Sequence, residues 1–231
     1  MKRFYQTASL QEAMTGFQVV LDQRAVKTQG GKPQIVASKP LGEALAGEWE
    51  AQGETLDASA FPLRDMTDYA LDMVPDTKGE IVEKLLRYAD TDTLCYRAGP
   101  DEPLWQKQRE IWDPLVDALE AREGIRLERV SGIVAKPHPP ETMDTLRARL
   151  SAFDDFELAA LEQLSSLAAS LCIGLAALES DADGMALWAA ANLEEDWQIE
   201  QWGEDEEAAE RRANRLAAFL KAMEFAQLLR G

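Results

Sequence analysis

The apolar positions of the first forty residues fall in short β-branched runs rather than at helical spacing. FQVVLDQRAVKT (residues 17–28) reads as extended chain with a turn near Asp22 and Gln23. The turn signal from Gly30 to Pro33 precedes a third short strand in PQIVAS. With the FYQTAS segment these runs predict an antiparallel meander of about four strands, too small to stand without a helix over one face. Helical periodicity follows. Ser38 is placed to cap a helix that has Pro40 in its first turn and Leu41, Leu45 and Trp49 on one face. FPLRDMTDYALDMV predicts a second short helix ended by Pro75. Thr77 to Glu80 matches a capping box ahead of an Ile81, Leu85, Tyr88 stripe.

TDTLCYRA reads as brief and extended. A helix is predicted from about Glu102 to Glu123, with Leu104, Ile111, Leu115 and Leu119 on its apolar side and Pro114 as a kink or interruption. GIRLERVSGIVA predicts a further strand pair or extended segment before the prolines at 137–140. From Pro140 onward the pattern predicts four helices, over about 141–151, 154–178, 182–202 and 205–229, with Gly203 as the stop between the last two. The run from Leu167 to Leu178 is apolar nearly all round and belongs in the core. The last helix carries Leu216, Phe219, Met223 and Ala226 as its buried stripe. The fold class predicted is α+β: a small antiparallel β-rich N-terminal domain (1–60) followed by a larger all-helical domain (61–231). The helices of 61–123 and the extended segment 125–135 are able to pack with either part, and the composition shift near Pro137–Pro140 marks a second candidate boundary.

Charge narrows the function classes. The chain has 231 residues with 24 basic and 42 acidic side chains, a net charge of −18. Nucleic acid is disfavoured as a partner, because binding it requires Lys and Arg to neutralise phosphates; an anionic membrane surface is disfavoured for the same reason. A basic protein surface or a cationic ligand fits better. The longest apolar run, Leu164 to Leu178, is shorter than the roughly 20 residues of a membrane span and contains three serines, so membrane insertion is not expected. Cys95 and Cys172 lie in apolar surroundings and read as buried thiols rather than a disulfide or a zinc site.

Little in the chain points to a cofactor or a catalytic constellation. His138, in KPHPP, is the only histidine, so any histidine-dependent triad or metal set would have to use it. A loop imidazole without a special role is the plainer reading. No glycine-rich dinucleotide or phosphate loop is present. Paired carboxylates could serve a glycosidase, and acidic residues alone could hold a divalent metal. Among 42 acids, however, such pairs arise by chance, and no spaced Asp-x-Asp-x-Asp-Gly loop accompanies them.

The unusual stretch is LEEDWQIEQWGEDEEAAE, residues 193–210. It holds nine carboxylates (Glu194, Glu195, Asp196, Glu200, Glu204, Asp205, Glu206, Glu207 and Glu210) with no basic residue, yet Trp197, Ile199 and Trp202 sit inside it. A solvated charge block normally lacks large apolar residues. On a continuous helix Glu194 shares a face with Leu187, Ala190, Ala191, Trp197 and Gln201, and Glu195 with Trp188, Ile199 and Trp202. Asp196 and Glu200 then point to water, and the acids from 204 onward suit the positive end of the last helix. Two readings compete: a solvated face anchored by its tryptophans, or a recognition surface in which Glu194, Glu195, Trp197, Gln198 and Trp202 meet a basic, partly apolar partner. Trp49, Trp105 and Trp112 lie at helical spacing and read as core.

Several segments resemble one family in order along nearly the whole chain: RFY, FQVVLDQRAVKT, GEWEAQG, FPLRDMTDYALDMV, LLRYADTDTLCYRA, QREIWDPL and NLEEDWQIEQWG. The spacings Tyr-x-x-Thr-Asp-x-x-Cys-Tyr-Arg and Glu-Glu-x-x-Gln-x-x-x-Trp-Gly are its most specific strings. The chain is similar to the ATP synthase assembly chaperones that handle the α subunit of the F-type catalytic head, known in mitochondria as assembly factor 2. The resemblance implies a β-rich N-terminal part, a helical C-terminal part, no enzyme activity, no cofactor and binding of an unassembled α subunit. It places the family's functionally important glutamate at Glu194 and its helix tryptophan at Trp49; Trp112 is read as structural from its helical spacing. The start at Arg-Phe-Tyr resembles a bacterial cytoplasmic member or a processed mitochondrial form. The competing classes are an acidic-residue enzyme or divalent-metal-dependent hydrolase, and a general holdase without a dedicated client.

Overall fold

A computed structural model describes residues 1–132, 136–203 and 205–230. It is α+β, with an antiparallel sheet at the N-terminus and helices after it. Strand β1 (Ala8–Ala13) pairs antiparallel with β2 (Gly16–Leu21), setting Leu10 opposite Val19. The other edge of β2 takes two short strands in turn: β3 (Arg24–Ala25), with Val20 opposite Ala25, and β4 (Ile35–Val36), with Phe17 opposite Val36. The expected simple meander is therefore corrected, since β4 returns to β2 instead of extending from β3. The strand predicted at FYQTAS begins only at Ala8. The turn falls where expected, with Asp22 at φ 55°. Its carboxylate accepts from the Gln6 and Thr7 backbone N–H groups, each at 3.0 Å, and these bonds hold the acid below its usual pKa. At Gly16 a Cβ would lie 2.3 Å from the Val36 carbonyl oxygen, so only glycine lets β4 approach.

Helix α1 (Lys39–Glu50) covers the sheet and buries Leu41, Leu45 and Trp49. Ser38 caps it, its hydroxyl accepting from Leu41 N–H at 3.3 Å. A Cβ on Gly42 would come within 2.7 Å of the Leu10 side chain, which shows how closely helix and sheet approach. The Trp49 ring packs against Tyr5 and Phe61, with centroids 5.6 and 4.6 Å away. Helix α2 (Pro62–Asp72) has no cap of its own in sequence; the Glu48 carboxylate of α1 accepts from its Leu63 and Arg64 N–H groups at 2.8 and 2.9 Å. These elements belong to one compact unit, Met1–Lys78 with Asp154–Ala160 and Glu224–Gly231; a second comprises Gly79–Phe153 and Leu161–Met223.

Several helical expectations are corrected. Pro75 does not simply end α2; it sits in the first turn of α3 (Val74–Asp90), where its missing N–H is no loss. Thr77 thus lies inside α3 and donates to Met73 O at 2.9 Å, so the capping box is not used. Helix α4 (Pro103–Glu123) continues through Pro114, and its buried stripe is Gln108, Trp112, Val116, Leu119 and Glu120. Ile111, expected on that stripe, is exposed. The extended reading of TDTLCYRA holds only for β5 (Tyr96–Arg97), which follows a 3-10 turn at Thr93–Cys95 and pairs parallel with β6 (Val130–Ser131). The part of the predicted extended segment at 133–135 lies outside the described residues.

Two of the four long C-terminal helices are each divided. Beyond α5 (Pro140–Ser151), the stretch read as one helix is α6 (Asp155–Ala168) and α7 (Leu171–Ala177). Ala169 breaks it at φ 49° and Ser170 caps α7. The break is held from a distance by the fully buried Asp92. Its Oδ1 accepts from the Ser170 hydroxyl at 2.7 Å and from Leu94 N–H at 3.0 Å, and its Oδ2 from Cys172 N–H at 2.9 Å. Burial pushes the Asp92 carboxyl up in pKa, and these three donors oppose that shift. The next predicted helix is α8 (Gly184–Ala191) and α9 (Leu193–Trp202), parted at Asn192, whose side-chain amide donates to Trp188 O at 2.8 Å. The chain closes with α10 (Glu206–Leu228), where Phe219, Met223 and Ala226 are buried as expected and Leu216 only half so. In this second unit the core gathers Leu85, Leu94, Trp112, Leu146, Leu150, Leu161, Ile173 and Phe219, all buried.

Candidate functional site

The acidic tryptophan segment folds as α9, and its neighbours α4 and α10 decide where each side chain goes. The break at Asn192 ends the register assumed from Leu187 onward, so the faces of Glu194 and Glu195 are set by α9 alone. Glu194 lies in the first turn and turns toward α4, where its Oε1 accepts from Gln108 Nε2 at 2.7 Å. Gln108 is itself 0% exposed and accepts from Ala98 N–H at 2.8 Å, so its amide orientation is fixed and its donor faces the carboxylate. Burial lifts the Glu194 pKa above the ordinary glutamate value, and the Gln108 bond lowers it in part. Among the described residues no cation pairs with Glu194.

Asp196 and Glu200, expected to face water, do keep solvent exposure, Glu200 the more, and each is also ion-paired. Arg212 of α10 meets Asp196, and Lys107 of α4 reaches Glu200 at 2.9 Å. The same Lys107 ammonium lies 4.7 Å from the Trp197 ring centroid. The two pairs fasten α9 on both sides, and Trp197 is half-buried beneath one of them.

The opposite face of α9 remains open. Glu195, Gln198, Ile199 and Trp202 line a groove of about 260 Å³ completed by Asp205, Ala208, Ala209 and Arg212. Trp202 is 80% exposed, and Gln198 is exposed beside it. Asp205 caps α10 by accepting from Ala208 N–H at 2.9 Å, which accounts structurally for one acid of the block. Glu204 lies outside the described residues. The five predicted site residues therefore divide: Glu195, Gln198 and Trp202 share the groove, Glu194 points to α4, and Trp197 stands between.

Other sequence candidates have structural surroundings. Trp112 is fully buried and donates from Nε1 to Ala190 O at 2.8 Å, and Trp49 is buried in its aromatic cluster. Trp105 is half-buried under the Arg109 guanidinium. His138 is buried; its Nδ1 accepts from Glu128 N–H at 2.9 Å and its Nε2 lies 2.9 Å from Ala89 O, so each ring nitrogen already has a backbone partner. Sequence reasoning missed Gln108, Lys107 and Arg212 as partners of α9. Only Gln108 left a trace, as a polar residue four positions before Trp112 on the buried stripe.

Comparison with known proteins assigns the arrangement to a family. A family model described as ATP12 chaperone protein matches residues 2–120. The chain belongs to the ATP12 chaperone family. Protein atp12, mitochondrial, of Schizosaccharomyces pombe is 27% identical over 221 residues, spanning 90% of this chain and 76% of the relative. Protein ATP12, mitochondrial, of Saccharomyces cerevisiae is 25% identical over 251 residues, spanning 89% and 77%. The crystal structure of Atp12 from Paracoccus denitrificans superposes with a TM-score of 0.94 at 34% identity, covering 99% of this chain and 98% of that one. The family thus has mitochondrial and bacterial members. Among the described residues no helix is long and apolar enough to cross a membrane.

Proposed function

We propose that this chain binds the unassembled α subunit of the F-type ATP synthase catalytic head and shields its assembly interface, with the open face of α9 as part of the docking surface. Membership of the ATP12 chaperone family makes it a chaperone of ATP synthase assembly; the client subunit and the docking face are the proposal. The observation that carries the face is Trp202, an indole left 80% in water inside a carboxylate-rich segment while neighbouring acids are tied down by Arg212 and Lys107. A large exposed aromatic framed by charge is the composition of a binding hot spot. A ring subunit without its neighbours exposes apolar interface and is prone to aggregate. A chaperone must cover that interface and later yield it, which suits modest affinity with charge steering. The net charge of −18 favours a basic client surface.

Co-purification with isolated α subunit tests this. Trp202→Ala is expected to weaken capture by roughly 30-fold, the factor that corresponds to about 2 kcal/mol at a hot spot. The neighbouring subunit of the head should displace the chaperone. Undiminished capture by a folded Trp202→Ala protein would remove the docking face. Equal capture of an unrelated unfolded protein would instead indicate a general holdase. Among the described residues no three or more His, Cys, Asp or Glu side chains gather as a metal ion would need, so no ligand set supports the divalent-metal-dependent hydrolase.

A further inference from the structure

On the Glu194 side of α9 lies a second, open depression of about 410 Å³, lined among the described residues by Thr91, Thr93, Tyr96 and Glu194. Its chemistry is set by where its protons go. A hydroxyl has one proton to donate. Thr91 Oγ1 donates to Arg87 O at 2.9 Å, Thr93 Oγ1 to Ala169 O at 2.9 Å, and the Tyr96 hydroxyl to Asp90 O at 3.2 Å. All three oxygens therefore keep lone pairs and no proton for an incoming group. Glu194 is a fourth acceptor, its Oε1 steadied by the buried Gln108 and its Oε2 without a hydrogen bond from the described residues.

Among the described residues the depression thus offers four acceptors and no charge partner for the carboxylate. An anion would find no proton donor among these four groups, and an apolar group would desolvate the carboxylate without compensation. A guanidinium supplies five N–H donors in one plane together with the missing positive charge. An arginine head also fits an opening of about 410 Å³ with room for its stem. We infer that this depression receives an arginine side chain of the client protein. The inference rests on the chaperone reading above and adds to it a second contact point, separate from the Trp202 groove and selective for one kind of side chain.

The experiment is an NMR titration of the full ¹⁵N-labelled chain with N-acetyl-arginine amide, set beside the neutral, nearly isosteric N-acetyl-citrulline amide. The arginine compound is expected to give saturable shifts at the amides of Thr91, Thr93, Tyr96 and Glu194, and the citrulline compound none. Glu194→Gln, which keeps an acceptor for Gln108 and removes the charge, should weaken the arginine titration at least about tenfold, as loss of a charge-assisted hydrogen bond does. Tyr96→Phe should weaken it by a smaller factor. Shifts spread along residues 205–210 and absent from the depression would overturn the inference, as would equal shifts from citrulline amide or an undiminished response in folded Glu194→Gln. Capture of α subunit by the same proteins separates the two claims. Arginine amide binding with no α-subunit capture would sink the client assignment and leave the site. Capture that needs Trp202, without arginine amide binding, would do the reverse.

Discussion

At the scale of single residues, the decisive feature is a carboxylate held partly out of water to which no described residue brings a countercharge. Glu194 has a folded pKa above its ordinary value because burial penalises its charged form. Such a group binds more protons folded than unfolded, so its stabilising contribution is complete below the ordinary glutamate pKa and is lost as pH rises through the elevated folded value. Glu194→Gln removes that titration. Denaturant unfolding should find the variant more stable than the parent at pH 7, with the difference fading as pH falls below about 4, where the parent's carboxyl becomes protonated in both states. A parent that is the more stable at pH 7 would show that the charge is a net stabiliser and contradict this account. The glutamate could be singled out from sequence because indoles sit among the acids. Its partner could not: Gln108 is 86 residues earlier, and only the packing of α4 against α9 joins them. The ion pairs of Asp196 and Glu200 escape the sequence for the same reason, since periodicity gives a direction around a helix but does not say which cations stand on neighbouring helices.

At the scale of elements, sequence periodicity located almost every helix and misjudged where several are cut. Residues 154–178 are apolar enough to read as one helix, yet Ala169 takes a left-handed conformation because Asp92, Thr93 and Ser170 satisfy the freed backbone groups. A left-handed alanine is strained by about 1–2 kcal/mol relative to glycine, and part of that advantage is lost to the greater freedom of glycine in the unfolded chain. The Ala169 side chain is exposed, so its removal forfeits little packing. Ala169→Gly is therefore expected to stabilise the protein by roughly 0.5–1 kcal/mol, seen as a shift of the denaturant midpoint at unchanged slope. A loss of stability would mean that the break is not strained. The strand errors have a related origin. Ile35 and Val36 are β-branched and locally favour a strand, but no local signal says that they pair with Phe17 and Gln18.

At the scale of the whole molecule, charge dominates. A net charge of −18 repels itself, and that repulsion is screened as the Debye length falls from about 14 Å at 0.05 M salt to about 4 Å at 0.5 M. Over that range thermal stability should rise, while the rate of α-subunit capture should fall by about tenfold or more, because encounter is steered by the same field. A capture rate indifferent to salt would argue that apolar contact alone brings the partners together. The sequence by itself determined the α+β class, the helical C-terminal half, the acidic surplus, the family likeness and the one segment where charge and indoles mix. All of these follow from local periodicity, composition and residue order. Only the tertiary structure decided that Trp202 faces solvent while Trp197 is covered, and that Lys107 and Arg212 neutralise two of the acids. It also decided that Glu194 sits beside three hydroxyls whose protons are already committed. The reason is physical: exposure, pairing and desolvation belong to neighbours brought together from distant parts of the chain, and no spacing within one helix encodes them.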